Sequence, residues 1–135
     1  MALIVDTNVF IGFERRGEPI GLSPWESSAD IFISVVTVSE LLMGVHRADT
    51  DERRNRRSAF VEAIIGGVPV LDFTTEIARV HAQIYADFSQ RGQIIGAHDL
   101  IIAATARHHG TSLLTDNVDE FSRVPGLHVI RFGPV

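Results

Sequence analysis

Cysteine and lysine are both absent from this 135-residue chain. Without cysteine, the chain cannot form a disulfide, a zinc–thiolate site or a cysteine nucleophile. Without lysine, it lacks the residue that a Walker A phosphate loop or a Schiff base requires. All 12 basic residues are therefore arginine, and 17 acidic residues bring the net charge to −5. The net charge does not favour binding to nucleic acid, although a local basic stripe can still do so.

Long apolar runs are also missing. No run approaches the length that crosses a membrane, and the first residues lack the basic flank of a signal peptide. We therefore expect a soluble, cytoplasmic protein without a membrane partner. The length and the apolar content of 45% predict one globular domain over residues 1–135.

Short apolar runs alternate with amphipathic segments along the chain. The runs predict buried strands at Ala2–Val5, Ile31–Val35, Val68–Phe73, Ser112–Leu114 and Leu127–Phe132. Helices are predicted at Val9–Arg16, Asp51–Ile65, Thr75–Arg91 and Ala97–His109. A further helix is predicted to begin at a capping box formed by Thr37 and Glu40. A helix fragment is expected near Pro24, and a short helix or turn at Asn117–Val124. This alternation predicts an α/β fold with a mainly parallel central sheet and helices on both faces.

Four acidic residues lie at the ends of these predicted elements. Asp6 follows the first strand, and Glu40 lies in the first turn of the helix after the second strand. Asp99 opens the most apolar helix, and Asp116 follows the fourth strand. Because ligand sites of open α/β sheets lie beyond the carboxyl ends of the strands, these acids are expected to share one edge of the sheet.

Each acid also has an ordinary structural interpretation. Asp6 could cap a helix, and Glu40 could be the partner of Thr37 in a capping box. Asp99 could interact with the helix dipole, and Asp116 is a common turn residue. Only the four acids together favour a functional site.

Grouped carboxylates near a core need a positive partner. Burying one without a partner costs several kcal/mol or raises its pKa until it is neutral. Arg123 is the one arginine adjacent in sequence to these segments. A divalent cation such as Mg²⁺ or Mn²⁺, which prefers oxygen ligands, would remove the repulsion. Such a site can activate water and neutralise charge on a phosphodiester.

Four sequence motifs carry a family resemblance, namely Leu3–Asn8, Ser34–Leu41, His98–Ala106 and Leu113–Phe121. In order and spacing they resemble the PIN-domain ribonucleases, and in particular the VapC-type toxins of bacterial toxin–antitoxin pairs. The likeness extends from Leu3 to about Ile130. It implies a PIN-like fold and an endoribonuclease that depends on Mg²⁺ or Mn²⁺.

The resemblance also implies roles for individual residues. It assigns one site acid to each of the four motifs, namely Asp6, Glu40, Asp99 and Asp116. Asp6 and Asp99 are the expected direct metal ligands. Two neighbours compete with Asp116 for the fourth position, namely Asn117 and Asp119. Nearby polar groups are expected to orient the carboxylates, namely Thr7, Asn8 and Thr115.

The same resemblance implies a mechanism and partners. The ion and an acid would position a water for in-line attack on phosphorus, which leaves a 5′-phosphate and a 3′-hydroxyl. RNA is the expected substrate. The toxin is expected to form a homodimer and to be inhibited by a small VapB-type antitoxin that lies in or beside the acidic groove.

The densest basic cluster consists of Arg53, Arg54, Arg56 and Arg57, with Arg47 upstream. Because arginine binds phosphate with paired hydrogen bonds, this cluster could contact the RNA backbone. It could equally be a solvated helix face, since Asp49 and Glu52 stand four residues before two of the arginines. Both interpretations are open at this point.

The main rival function is a non-catalytic PIN-like module that binds RNA or protein. A receiver domain or a haloacid-dehalogenase-type phosphatase is disfavoured, because both use a lysine. Trp25 is interpreted as a packing or antitoxin contact, and His98 beside Asp99 is a residue to test. A stripe of apolar residues is predicted to be core or dimer surface, namely Ile77, Val80, Ile84 and Phe88.

Overall fold

The computed structural model describes residues 1–22, 26 and 29–133. In these residues the strands are β1 (Ala2–Val5), β2 (Asp30–Ser34), β3 (Val70–Leu71), β4 (Ser112–Thr115) and β5 (His128–Arg131). The helices are α1 (Thr7–Arg16), α2 (Val35–His46), α3 (Asp51–Gly67), α4 (Thr75–Gln90), α5 (Ala97–His109) and α6 (Val118–Phe121). The expectations for Pro24 and Trp25 lie outside the described residues.

The strands form one sheet in the order β3-β2-β1-β4-β5. Every neighbouring pair is parallel, with Ile4 of the central strand opposite Phe32 of β2 and Leu113 of β4. The predicted parallel α/β fold is thus confirmed. Because the strands are parallel, all their carboxyl ends lie at one edge, and the loops that follow them meet there.

Helices cover both faces of the sheet. Ile4 packs into a core with Ile77 and Phe88 of α4, whereas Val5 packs into a second core with Phe10 of α1. Successive residues of a strand point to opposite faces, which explains why a continuous apolar run serves two cores. The predicted apolar stripe of α4 belongs to the first core, with Val80 partly buried against it.

The predicted capping box is wrong. Helix α2 begins at Val35, two residues before Thr37, because the Ser34 side chain at the end of β2 already accepts a hydrogen bond from the Val36 N–H at 3.2 Å. Thr37 is therefore inside the helix and fully buried. The side chains of Thr37 and Glu40 are thus available for contacts other than capping.

Most other elements differ from the expectation by one to three residues at an end, and β3 and α3 are two examples. Strand β3 is limited to Val70 and Leu71, which pair with the end of β2 at the margin of the sheet. Helix α3 continues through Gly66 and Gly67, and the Val68 N–H still bonds to the Ile64 carbonyl at 2.9 Å. Among the described residues, no helix is long and apolar enough to span a membrane.

Candidate active site

Asp6 lies at the carboxyl end of the central strand β1. Its backbone N–H donates to the Leu114 carbonyl at 2.9 Å, which fixes it against the end of β4. Asp6 occupies the N-cap position of α1, yet its side chain makes no capping hydrogen bond. Its Oδ2 accepts a 2.7 Å hydrogen bond from the Thr115 hydroxyl, and the residue is only 2% exposed. Capping therefore does not explain an aspartate here.

Thr115 connects two parts of the site. It ends β4, is fully buried, and accepts a 2.9 Å hydrogen bond from the Asn117 N–H while it donates to Asp6. One hydroxyl thus orients the Asp6 carboxylate and fixes the turn that leads into α6.

Glu40 approaches the same edge from α2. Thr7 Oγ1 lies 2.7 Å from Glu40 Oε1 and 2.9 Å from Thr37 Oγ1. Because the Thr7 hydroxyl has one proton, that proton goes to the carboxylate, and Thr37 is left to donate to Thr7. On its other side, Glu40 Oε2 lies 3.3 Å from His98 Nδ1 at the start of α5. These contacts orient Glu40 toward the beginning of α5.

Asp99 pairs with an acid that the sequence analysis did not select, Glu120 of α6. Glu120 raises the pKa of Asp99 through its charge and through a hydrogen bond to the protonated form of Asp99. Glu120 also accepts hydrogen bonds from the Gly96 N–H at 3.1 Å and from Asn117 Nδ2 at 3.0 Å. A Cβ atom on Gly96 would stand 3.4 Å from Asp99 Oδ2 and 3.8 Å from Glu120 Oε1. Both carboxylates therefore lie beside Gly96, at distances of ordinary van der Waals contact for a Cβ atom.

The ionisation of two of these acids is strongly perturbed. Burial raises the pKa of Asp6 to about 6; the Thr115 hydrogen bond opposes this rise, and the charges of Asp116 and Glu40 add to it. Burial also raises the pKa of Asp99 to about 7, and the charges of Glu120, Asp6 and Glu40 raise it further. These acids therefore act on one another as a single negative cluster.

The structure brings the four predicted acids to one edge of the sheet. Asp116 is exposed and interacts with Asp6 through its charge. Among the expected orienting residues, Thr7 and Thr115 each bond to a site acid, whereas Asn117 bonds to Glu120. In the described part of the chain, neither Asn8 nor Asp119 hydrogen-bonds to these acids, and both are exposed. The sequence holds one signal for Glu120. It stands three residues after Asn117, a spacing that places the two side chains on the same side of a helical turn.

The chemistry of the donors fits a hard divalent cation. All are oxygen ligands, and their mutual repulsion is what a bound cation would relieve. Over the described ranges, no arginine forms an ion pair with Asp6, Glu40, Asp99, Asp116 or Glu120. Within the same ranges, no group of three or more His, Asp or Glu side chains is placed so that it could hold an ion as it stands. Binding would therefore need side-chain adjustment, such as separation of the Asp99–Glu120 pair.

A parallel α/β sheet with carboxylates gathered at its carboxyl edge fits a broad class of proteins, the enzymes that act on phosphate esters with an acidic metal site. Comparison with known proteins gives the family. The model of the PIN domain matches residues 3–127. The chain belongs to the PIN domain family, and its relatives within that family are VapC ribonucleases.

Individual relatives support this assignment over almost the whole chain. The chain is 38% identical to ribonuclease VapC1 of Rickettsia felis, over 96% of both chains. It is 35% identical to the tRNA(fMet)-specific endonuclease VapC of Salmonella typhimurium, again over 96% of both. The crystal structure of DNA-bound VapBC from Salmonella typhimurium contains a chain with 29% identity and a TM-score of 0.84, matched over 97% of this chain and 98% of that one. The resemblance noted in the sequence is confirmed.

Proposed function

We propose that the protein is the endoribonuclease toxin of a toxin–antitoxin pair and hydrolyses RNA phosphodiester bonds with Mg²⁺ or Mn²⁺ held at the acidic edge of the sheet. One observation carries the metal site: five carboxylates from four segments of the chain converge there without an arginine partner, namely Asp6, Glu40, Asp99, Asp116 and Glu120. Carboxylates buried together are destabilised unless a cation binds among them. The PIN family membership supports the nuclease activity.

Asp6 and Asp99 are the proposed direct ligands, because both are at least half-buried and both carry a raised pKa. Glu40 and the acids around α6 complete the set. For the fourth position Glu120 is a candidate besides Asp116, since it raises the pKa of Asp99, whereas the exposed Asp119 makes no hydrogen bond to the cluster in the described residues. When bound, a divalent cation would polarise the scissile phosphate and lower the pKa of a water ligand.

Neutral residues of the chain hold the carboxylates in their orientations. Thr115 fixes Asp6, and Thr7 fixes Glu40, each through a 2.7 Å hydrogen bond. The Gly96 N–H and the Asn117 amide fix the two oxygens of Glu120. This orientation matters because ligand geometry depends on such supporting hydrogen bonds.

The activity is tested by incubating the purified protein with initiator tRNA and with an unstructured RNA. We expect cleavage in Mn²⁺ or Mg²⁺, no cleavage in EDTA, and a loss of about a hundredfold or more in Asp6→Asn and Asp99→Asn. Asp30→Asn is the matched control, since Asp30 is exposed and begins β2, at the opposite edge of the sheet from the site. If RNA is bound and never cut, the protein is a non-catalytic PIN-like module. If both site variants cleave at the wild-type rate, the site assignment is wrong.

The partners are part of the same proposal. The VapBC assembly of the Salmonella relative supports a VapB-type antitoxin as partner. We propose in addition that the toxin forms a homodimer, as the family resemblance implies. Because its substrate is RNA, we propose that the toxin acts in the cytoplasm.

Light scattering should give twice the chain mass of 14.8 kDa for the free protein, and a monomer mass would contradict the homodimer. Co-expression with the short neighbouring reading frame should yield a stable complex, and the absence of a complex would contradict the antitoxin partner.

A further inference from the structure

A groove with many arginines begins at the acidic site. Its inner part lies between α1, α2 and α3, contains Glu40 in its wall, and has a volume of about 220 Å³. Its outer part lies between the end of α1 and the first half of α3, and has a volume of about 690 Å³. Both parts share Arg15, Arg57 and Phe60, so they form one groove that widens away from the site.

The charge of this groove is opposite to that of the whole chain. Six of the 12 basic residues line it, namely Arg15, Arg16, Arg47, Arg53, Arg56 and Arg57. Only three of the 17 acids do so, namely Glu14, Glu18 and Glu40. A concave surface lined by one sign of charge concentrates the opposite charge, even on a molecule of opposite net charge.

Most of these arginines already have acidic partners. Arg53 bonds to Asp49 at 2.8 Å, Arg16 bonds to Glu18 at 3.0 Å, and Arg56 lies 3.8 Å from Glu52. Arg57 spans the groove, bonding to Glu14 at 3.1 Å and to the Gly44 carbonyl at 3.0 Å. The remaining member of the predicted cluster, Arg54, bonds to Asp51 and to the Ala48 carbonyl and does not line the groove. A phosphate would have to compete with these partners.

Arg15 and Arg47 differ from the others. Both are exposed, both line the inner part of the groove near Glu40, and within the described residues neither guanidinium has an acidic or hydrogen-bonded partner. An unpaired guanidinium can offer both of its N–H edges to a phosphate without first losing an ion pair.

We infer that Arg15 and Arg47 bind backbone phosphates of the RNA strand next to the scissile bond, and that the strand leaves the site along this groove. This inference rests on the proposed function. The two arginines would offset the repulsion between the acidic cluster and the phosphates, while the paired arginines of the outer part would attract the strand over longer range. Arg15 and Arg47 are positioning residues, not catalytic ones.

Binding of a fluorescently labelled single-stranded RNA in EDTA, where no cleavage occurs, tests the inference. Arg15→Gln and Arg47→Gln should each weaken binding about tenfold. In the double variant, the slope of log affinity against log salt should fall by about 1.4, at roughly 0.7 for each phosphate contact. Arg79→Gln is the matched control, because Arg79 is also exposed and unpaired in the described residues but does not line the groove. Unchanged affinity and slope in the double variant, or an equal loss in the control, would overturn the inference.

Two further measurements separate the alternatives. In Mn²⁺, the double variant should show a raised KM and an unchanged kcat for RNA cleavage, since the arginines bind substrate and do not take part in the chemistry. Arg131→Gln tests a second groove, which begins at Asp116 and meets the outer part of the first at Arg16. If this variant alone loses affinity, the strand leaves on that side and the inference is wrong.

If the double variant binds RNA normally but no longer co-purifies with its antitoxin, the groove binds the protein partner and the inference is wrong. If the wild type binds RNA but does not cleave it, the proposed function fails instead.

Discussion

Replacing Asp6 with asparagine should stabilise the metal-free protein at high pH. The pKa of Asp6 is raised from 3.8 to about 6 in the folded state, mainly by burial. The sign follows directly: the folded state holds its proton more tightly than the unfolded state, so stability is highest below pH 4 and falls as the pH rises through 6. Asparagine has no ionisable group, so the variant does not lose this stability as the pH rises.

The magnitude follows from the size of the shift. A rise of about two pKa units corresponds to about 3 kcal/mol between acid and neutral pH. For a domain of this size, that difference moves the melting temperature by about 10 °C. The hydrogen bond from Thr115 survives the substitution, because the asparagine Oδ1 can still accept it. Apart from the loss of the Asp6 charge, which helps to raise the pKa of Asp99, little else should therefore change.

The assay is thermal unfolding in EDTA at pH 4.5 and pH 8. About 1 of the 3 kcal/mol is already lost at pH 4.5, because the unfolded state ionises with a pKa of 3.8. We therefore expect Asp6→Asn to gain about 7 °C over the wild type at pH 8 relative to the difference at pH 4.5. Asp72→Asn, at an exposed position, should show no such dependence on pH. If the difference between Asp6→Asn and the wild type is the same at both pH values, Asp6 is not a destabilised carboxylate and the reasoning fails.

Three other substitutions test separate parts of the site. Glu120→Gln should weaken Mn²⁺ binding and slow RNA cleavage about 10–100-fold, whereas Asp119→Asn should change neither; equal effects would reject the choice of Glu120. Thr115→Val removes the hydroxyl that bonds to Asp6 and Asn117, so urea unfolding should show a loss of about 1–3 kcal/mol. An unchanged midpoint for Thr115→Val would contradict the buried hydrogen bonds. Glu40→Gln should abolish cleavage and leave the thermal transition intact, because Thr7 can still donate to the amide oxygen; loss of the transition would indicate a structural role.

The fold was largely predictable because its signals are local. The apolar run Ala2–Val5 and the helix Ala97–His109 are found as expected. Gly110 ends that helix with a φ of 65°, a conformation that residues with a Cβ rarely adopt. That residues 1–135 form a single domain remains a prediction.

The capping box failed because two local signals competed. The motif formed by Thr37 and Glu40 fits a helix start, but Ser34 at the strand end caps the helix first. Thr37 instead contacts Thr7, thirty residues earlier in the chain. Such a contact depends on how two helices pack, and a local sequence motif cannot predict it.

The acids were predictable to different degrees. Asp6 and Asp116 directly follow strands, so parallel topology alone places them at one edge. Glu120 lies in a four-residue helix beyond the strand end and bonds to Gly96, 24 residues earlier. Its proximity to Asp99 results from the loop before α5. The rule that selected Asp6 and Asp116, a position directly after a strand, therefore could not identify Glu120.

Calorimetric titration of the metal-free protein with Mn²⁺ tests the central claim most directly. At pH 6.5, where the raised pKa values leave protons on the acidic cluster, we predict binding that releases protons, seen as a heat that depends on the ionisation enthalpy of the buffer. Asp99→Asn should lose most of this binding, and Asp30→Asn, at the opposite edge of the sheet, should retain it. No uptake of Mn²⁺ by the wild type, or equal uptake by Asp99→Asn, would contradict a metal site built from these carboxylates.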